Sequence, residues 1–194
     1  MTEWADDQAW ESDWWGDCSN TFGEETKQIT YAHRMGLVNV PRDGHWPAYD
    51  LSGRSVVDIG GGPVSILLKT FNVTAPTVVD PCVYPKWVAD RYGLAGITQL
   101  VQAGETLTAK RRWDEAWIYN VLQHVQDPEA VVDRALRVAR VVRIFEWMFT
   151  PPHTGHPHTL FPHELDKWLH GTGATEEMNE NGATGTAYYG VFPS

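Results

Sequence analysis

Cysteine is scarce in this 194-residue chain, which carries only Cys18 and Cys82. They stand in unrelated contexts and form neither a disulfide framework nor a metal-binding spacing, so a reducing, cytoplasmic setting is expected. Long apolar runs are also missing. Nothing approaches the roughly 18 residues that a membrane span requires, and the acidic start Met1-Thr2-Glu3-Trp4-Ala5-Asp6-Asp7 lacks the basic and apolar regions of a signal peptide. A soluble protein with no membrane partner is expected. Basic charge is in short supply too: 15 Lys and Arg face 25 Asp and Glu, for a formal net charge of -10. Such a chain repels a phosphate backbone unless a local patch overcomes the field. The only dense basic cluster, Lys110-Arg111-Arg112, precedes a predicted strand and reads as a solvated turn. Long nucleic acid is therefore disfavoured as a partner, whereas a nucleotide-sized molecule is not. There is no internal repeat and no low-complexity linker, and the length suits one α/β domain over residues 1–194, with a cap over 1–53 and a core over 54–194.

Tryptophan, by contrast, is abundant. Ten are present, and Trp4, Trp10, Trp14 and Trp15 fall in the first fifteen residues. This acidic, non-periodic segment is expected to dock, either onto the domain's own surface or as part of a lid over a cleft. Gly23 to Leu37 reads as a helix with Glu24 and Glu25 in its first turn, and 38–53 as an irregular approach. Strands and helices then alternate. Strands are predicted at Ser55–Ile59, Thr77–Asp80, Ile97–Gln102, Asp114–Asn120 and Val141–Phe149. Helices are predicted at Val64–Phe71, Tyr84–Tyr92 and Asp127–Val138, the last with Asp127 as N-cap and Pro128 at its first position. This rhythm predicts a doubly wound, mainly parallel sheet. The end departs from it: a helix at about Pro162–His170 precedes strand-like Ala174–Asn179 and Thr186–Phe192, joined by the turn-rich Glu180-Asn181-Gly182-Ala183-Thr184-Gly185. The expected fold is thus α/β, a seven-stranded sheet with an antiparallel C-terminal hairpin.

The chemistry begins at Val56-Val57-Asp58-Ile59-Gly60-Gly61-Gly62-Pro63, an apolar strand running into three glycines and a helix start. Glycines allow a sharp turn and a close approach of ligand to backbone, and the helix start favours a nucleotide cofactor. A dinucleotide fingerprint would place a third spaced glycine at position 65, where Ser65 stands, and does not call for an acid two residues before the first glycine. Asp58 is such an acid. A second carboxylate, Asp80, ends the next predicted strand in Val78-Val79-Asp80-Pro81, 80 - 58 = 22 positions later, where such folds hold ribose hydroxyls.

The Asp58-Ile59-Gly60-Gly61-Gly62 arrangement resembles motif I of the class I (Rossmann-like) S-adenosylmethionine-dependent methyltransferases, although Val64 stands where that motif commonly has another glycine. The resemblance implies the class I methyltransferase fold and S-adenosyl-L-methionine as cofactor. It implies that Asp58 acts near the methionine ammonium, that Gly60, Gly61 and Gly62 pass the cofactor closely, that Asp80, beside Pro81, holds the ribose, and that Gly104 and Glu105 lie beside the adenine. Glu105 reads equally as a helix-start residue. In the same family the N-terminal helix closes over the cofactor. Gln28 or Tyr31, on one face of the predicted helix with Met35, could then reach the cofactor carboxylate; packing of Tyr31 in the core is the alternative.

Trp117-Ile118-Tyr119-Asn120-Val121-Leu122-Gln123-His124-Val125-Gln126-Asp127-Pro128 is similar to the post-strand motif of the ubiquinone-biosynthesis type of these enzymes. On that likeness Asn120 and Leu122 contact the cofactor and His124 points toward the acceptor. Relatives that hold a divalent ion here use E-x-x-E-H, whereas this chain has Asn120, Gln123 and His124. Two carboxylates are replaced by amides, so no catalytic metal is expected at this motif. His124 is the candidate general base, or else a structural histidine at a helix entrance. His153, His156 and His158, in a Pro-rich loop after the fifth strand, are further candidates for the acceptor side. The implied activity is methyl transfer to a small metabolite, sugar or nucleotide-type acceptor. A non-catalytic cofactor-binding or partner-binding subunit of the same fold is the alternative.

Overall fold

The computed structural model describes residues 3–42, 44 and 46–194. In chain order the elements are helices α1 (Glu3–Trp15) and α2 (Phe22–Arg34), strands β1 (Tyr49–Asp50), β2 (Ser55–Ile59), β3 (Thr70–Phe71) and β4 (Thr74–Asp80), helix α3 (Lys86–Leu94), strands β5 (Thr98–Val101) and β6 (Trp113–Tyr119), helix α4 (Pro128–Val138), strand β7 (Ala139–Trp147), helix α5 (Pro162–Trp168) and strands β8 (Ala174–Glu180) and β9 (Ala183–Pro193). Seven strands form one sheet in the order β5-β4-β2-β6-β7-β9-β8. The first five of these pair in parallel, while β9 runs antiparallel to β7 and β8 antiparallel to β9.

The central strands are covered on both faces, and their sequences show it. Val56 and Val57 in β2, Val78 and Val79 in β4, and Ala116, Trp117 and Ile118 in β6 are buried without polar alternation, as expected for parallel strands under crossover helices. On one face α4 lays down Val131, Val132, Ala135 and Val138 at helical spacing. Its start is fixed locally, because the Asp127 carboxylate accepts the Ala130 N–H at 3.0 Å and Pro128 occupies the first helical position. On the other face Tyr31, Ala32 and Met35 of α2 pack with Val88 and Tyr92 of α3. Each valine or methionine buried in this way contributes about 1.5–3 kcal/mol of transfer free energy.

Four local expectations change. The acidic first segment is helical: Trp4, Gln8, Glu11 and Trp15 recur at spacings of four, three and four, but the stripe mixes tryptophan with polar residues and so lacks apolar periodicity. Val64–Phe71 is not one α-helix. Two single-turn 3-10 segments, Gly62–Val64 and Ile66–Lys69, meet at Ser65, whose backbone is extended (φ -46°, ψ 144°), and Thr70–Phe71 is strand β3. The approach over 38–53 contains β1, which pairs in parallel with β3. The last hairpin turns on two residues, Asn181 and Gly182, both at positive φ (51° and 76°), and Glu180 pairs with Ala183. This is the turn in which Asn-Gly fits the twist of the flanking strands.

Candidate functional site

The carboxyl ends of β2, β4, β6 and β7 open into a cavity of about 430 Å³, within the range of small-ligand sites. Gly60, Gly61 and Gly62 form its floor. Gly60 has φ +74°, and a Cβ there would sit 1.9 Å from Val121 Cγ2, so only glycine lets the turn pass under the β6 loop. Gly62 has φ +60° and faces the opening: a Cβ there would meet nothing closer than Trp15, at 3.6 Å. Two tyrosines hold this turn from behind. Tyr92 donates to the Gly62 carbonyl at 2.6 Å and accepts the Ser65 N–H at 3.0 Å, while the Tyr119 hydroxyl accepts the Ile66 N–H at 3.0 Å.

Asp80, at the end of β4, lines the cavity. Its carboxylate accepts the N–H groups of Gly62 at 3.0 Å and Cys82 at 2.9 Å and the Tyr84 hydroxyl at 3.0 Å. Burial pushes its pKa up to about 6, against the lowering effect of those donors. Asp58 is placed differently from the motif expectation. It is fully buried beneath the turn and does not line the cavity; one oxygen accepts the Ser65 and Tyr119 hydroxyls, and the other has no partner. Burial moves its pKa up to about 7, with those two hydroxyls opposing and Asp80 reinforcing the rise. Asp58 is thus in place to support the glycine turn from beneath.

Pro81, Gly104, Glu105 and Asn120 line the cavity. Glu105 also ties loops together: one carboxylate oxygen accepts the N–H groups of Gln126 at 2.9 Å and Asp127 at 3.2 Å. Asn120 adopts φ +53°, a conformation asparagine tolerates. Leu122 is a correction, because its side chain is fully buried in the core and absent from the cavity wall. Gln28 lines the cavity, but its amide is engaged, donating to the Val64 carbonyl at 2.6 Å and accepting from Lys69 Nζ at 3.0 Å. Tyr31 takes the alternative of core packing, with its ring centroid 4.4 Å from that of Phe145, and does not line the cavity.

The opposite end of the cavity is formed by Gln123, His124, Thr150 and His156. Gln123 donates to the Trp147 carbonyl at 2.6 Å, and His158 is engaged with the Val125 carbonyl at 2.9 Å. The rings of His124 and His156 lie 4.1 Å apart and those of His153 and His156 4.2 Å. Burial, then the charges of His124 and His153, lower the His156 pKa to about 4.

Glu146 had no signal in the sequence reading, whereas the Trp-rich first segment and the terminal turn were read without a place at the cavity. Glu146, next to last in β7, is completely buried and accepts the backbone N–H groups of Val121 at 3.0 Å and Leu122 at 3.1 Å, so it fixes the turn that carries His124; burial pushes it up to about 7. Helix α1 roofs the cavity with Trp4, Gln8, Glu11 and Trp15. Gly182 of the last hairpin turn and Ala183 to Thr186 at the start of β9 supply part of the rim.

No family model and no curated protein sequence matches this chain. Solved structures do. A Burkholderia thailandensis 1,6-didemethyltoxoflavin-N1-methyltransferase, solved with 1,6-didemethyltoxoflavin and S-adenosylhomocysteine, aligns at TM-score 0.59 with 16% identity, over 97% of this chain and 84% of that one. The fold is that of the class I methyltransferases. The magnesium protoporphyrin IX methyltransferase of Synechocystis PCC 6803, with bound S-adenosylhomocysteine, aligns at TM-score 0.58 with 15% identity, over 89% of this chain and 83% of that one. The N-methyltransferase NodS of Bradyrhizobium japonicum WM9, in complex with S-adenosylhomocysteine, aligns at TM-score 0.57 with 14% identity, over 98% and 94%. At such identities the likeness is one of fold, and function is argued from the site. No helix among the described residues is long and apolar enough to cross a membrane.

Proposed function

We propose that this protein is an S-adenosylmethionine-dependent methyltransferase acting on a small-molecule acceptor of metabolite, sugar or nucleotide type. The observation that carries this reading is Asp80: a strand-end carboxylate, lining the cavity and oriented by the Gly62 N–H of the glycine turn. A carboxylate so fixed suits a pair of ribose hydroxyls, and the backbone of Gly60 to Gly62 leaves room for the amino-acid part of the cofactor. Pro81, Gly104 and Glu105 provide the adenine side, and Asn120 the edge next to the acceptor. Solved structures of this fold that contain S-adenosylhomocysteine support the assignment.

When bound, the cofactor supplies a methyl group already activated on a sulfonium. The protein's contribution is orientation of the two reactants and, for a hydroxyl or amine acceptor, removal of a proton. His124, at the acceptor end, is the residue placed for that task. Asn120 and Gln123 offer neutral amides where a divalent ion would need carboxylates, so the reading invokes no metal.

Calorimetric titration with S-adenosylmethionine, S-adenosylhomocysteine and NADH tests the reading. Both adenosyl ligands should bind in the micromolar range and NADH should not, and Asp80→Ala should weaken them by about tenfold or more, the effect of losing a charged hydrogen-bond partner. Failure of the wild-type protein to bind either adenosyl ligand overturns it. Binding without turnover over a broad acceptor screen favours a cofactor-binding subunit of the same fold.

A further inference from the structure

Helix α1 is pinned across the cavity at both ends. At one end Asp7 accepts the Gly155 N–H at 2.8 Å, and Trp10 packs so closely that a Cβ on Gly155 would lie 2.1 Å from its ring. At the other, Trp15 stands over Gly62 of the glycine turn. Between these anchors Trp15 Nε1 donates to Glu11 Oε1 at 2.7 Å, and Glu11 Oε2 lies 3.2 Å from His124 Nδ1. The second contact is close enough for strong attraction, although the ring nitrogen lacks hydrogen-bond alignment toward the oxygen. Both side chains are largely covered, at 18% and 16% exposure, and a carboxylate so placed needs a reason to be there.

We infer that Glu11 is a positioning residue for His124, and that the two form a proton-accepting pair completed only when Trp15 seats α1 over the glycine turn. The inference rests on the proposed methyl transfer and assigns its acceptor end. The chemistry follows the logic of a carboxylate-supported imidazole. With Nδ1 on the Glu11 side, neutral His124 leaves Nε2 to take the proton of an acceptor O–H or N–H. The electron pair of that bond stays on the acceptor atom and forms the bond to the methyl carbon, while the pair of the broken carbon–sulfur bond leaves on sulfur. The imidazolium formed on His124 is then stabilised by Glu11.

The groups that face His124 are Glu11 from α1, Glu146 from β7, and His156 with the Gly155 carbonyl from the loop after β7. Burial draws the His124 pKa down, but the Glu11 contact and charge, with Glu146 and Gly155 behind them, outweigh burial and hold it above the ordinary imidazole value. Glu11 moves the opposite way: burial raises it, and His124 and Trp15 bring it below the usual carboxylate range.

The test is an NMR titration of the histidine side chains in the full chain, alone and with S-adenosylhomocysteine. His124 in the wild-type protein should titrate above the ordinary imidazole midpoint. Its midpoint should fall in Glu11→Gln and fall by less in Trp15→Phe, which keeps the carboxylate and removes its anchor. A wild-type midpoint at or below the ordinary value overturns the inference even if neither variant folds, and so does a midpoint that Glu11→Gln leaves unmoved. Because the titration reads in the apo protein, loss of the pairing and failure of S-adenosylhomocysteine to bind are separate outcomes.

Discussion

Two ends of the same sheet bury carboxylates in opposite ways. At the amino end of β6, Glu115 is 2% exposed and saturated by cations: Arg143 approaches its two oxygens at 2.7 and 3.0 Å, Arg54 adds a further contact, and Trp117 Nε1 donates at 2.9 Å. Burial alone would raise the Glu115 pKa, but the Arg143 bonds and charge outweigh it and the net shift is downward. At the carboxyl end, Asp58, Asp80 and Glu146 are equally buried yet receive only neutral donors from hydroxyls and backbone, and all three are raised. The first arrangement closes a structure, since Arg143 also donates to the Met35 carbonyl and so ties α2 to the sheet. The second leaves acidic groups without counter-charge at the cavity end of the sheet, where Asp80 lines the cavity and Asp58 and Glu146 lie behind its wall.

The comparison can be broken most forcefully at its closed end. Arg143→Met strips Glu115 of its bidentate partner and should cost about 3–5 kcal/mol. Thermal unfolding should show a midpoint lower by about 10 °C. A drop of a degree or two would mean that Arg54 alone suffices.

The open end is sharpened by pH. A carboxyl whose pKa is raised by folding contributes stability that is fully present below its ordinary value near pH 4 and lost as pH rises through its folded value. Asp80 at about 6 and Asp58 and Glu146 at about 7 place that loss between about pH 4 and 7. His124, also raised, acts in the same direction as pH increases. Calorimetric unfolding of the ligand-free protein should therefore give a higher midpoint at pH 5 than at pH 8, and Asp58→Asn should narrow the gap. An unchanged gap in that variant would show that Asp58 carries no part of it.

Smaller effects separate the individual donors. Tyr119→Phe removes a hydroxyl shared between Asp58 and the Ile66 N–H and should cost about 1–3 kcal/mol through the donor left unpaired. The smallest change is expected for Arg54→Met, because this side chain is 37% exposed and its ion pair with Glu115 is largely solvent-screened. Urea unfolding should place that cost at about 1 kcal/mol or less.

The two ends were not equally legible. Alternating apolar runs and turn residues disclose the parallel core, and an acid two residues before three glycines discloses the turn, because both depend on local order along the chain. Asp80 is legible for the same reason, as the acid that ends a buried strand. What stayed hidden depends on distance through space. Glu146 sits inside an apolar strand, and nothing near it in sequence announces that it fixes the Val121–Leu122 backbone. Glu11 is one acid in an acidic segment, distinguished only by meeting His124. Val64–Phe71 reads as a helix from its apolar content, yet Ser65 is drawn into an extended conformation by bonds to Asp58 and Tyr92. Leu122 sits in a motif that implies cofactor contact and Tyr31 on a helix face that fits either cofactor or core, and packing turns both inward.

The roof residues Trp4 to Trp15 and the rim residues Gly182 to Thr186 enclose one cavity from positions some 170 residues apart in the chain. Parallel βαβ units can form from neighbouring segments, but closing a loop of that span is among the slowest contacts a chain can make. β9 must also insert between β7 and β8 before the rim exists. A polypeptide still emerging from the ribosome can therefore hold most of its sheet and yet no enclosed cavity, so ligand capture would report on the arrival of this hairpin and not merely on folding of the parallel core.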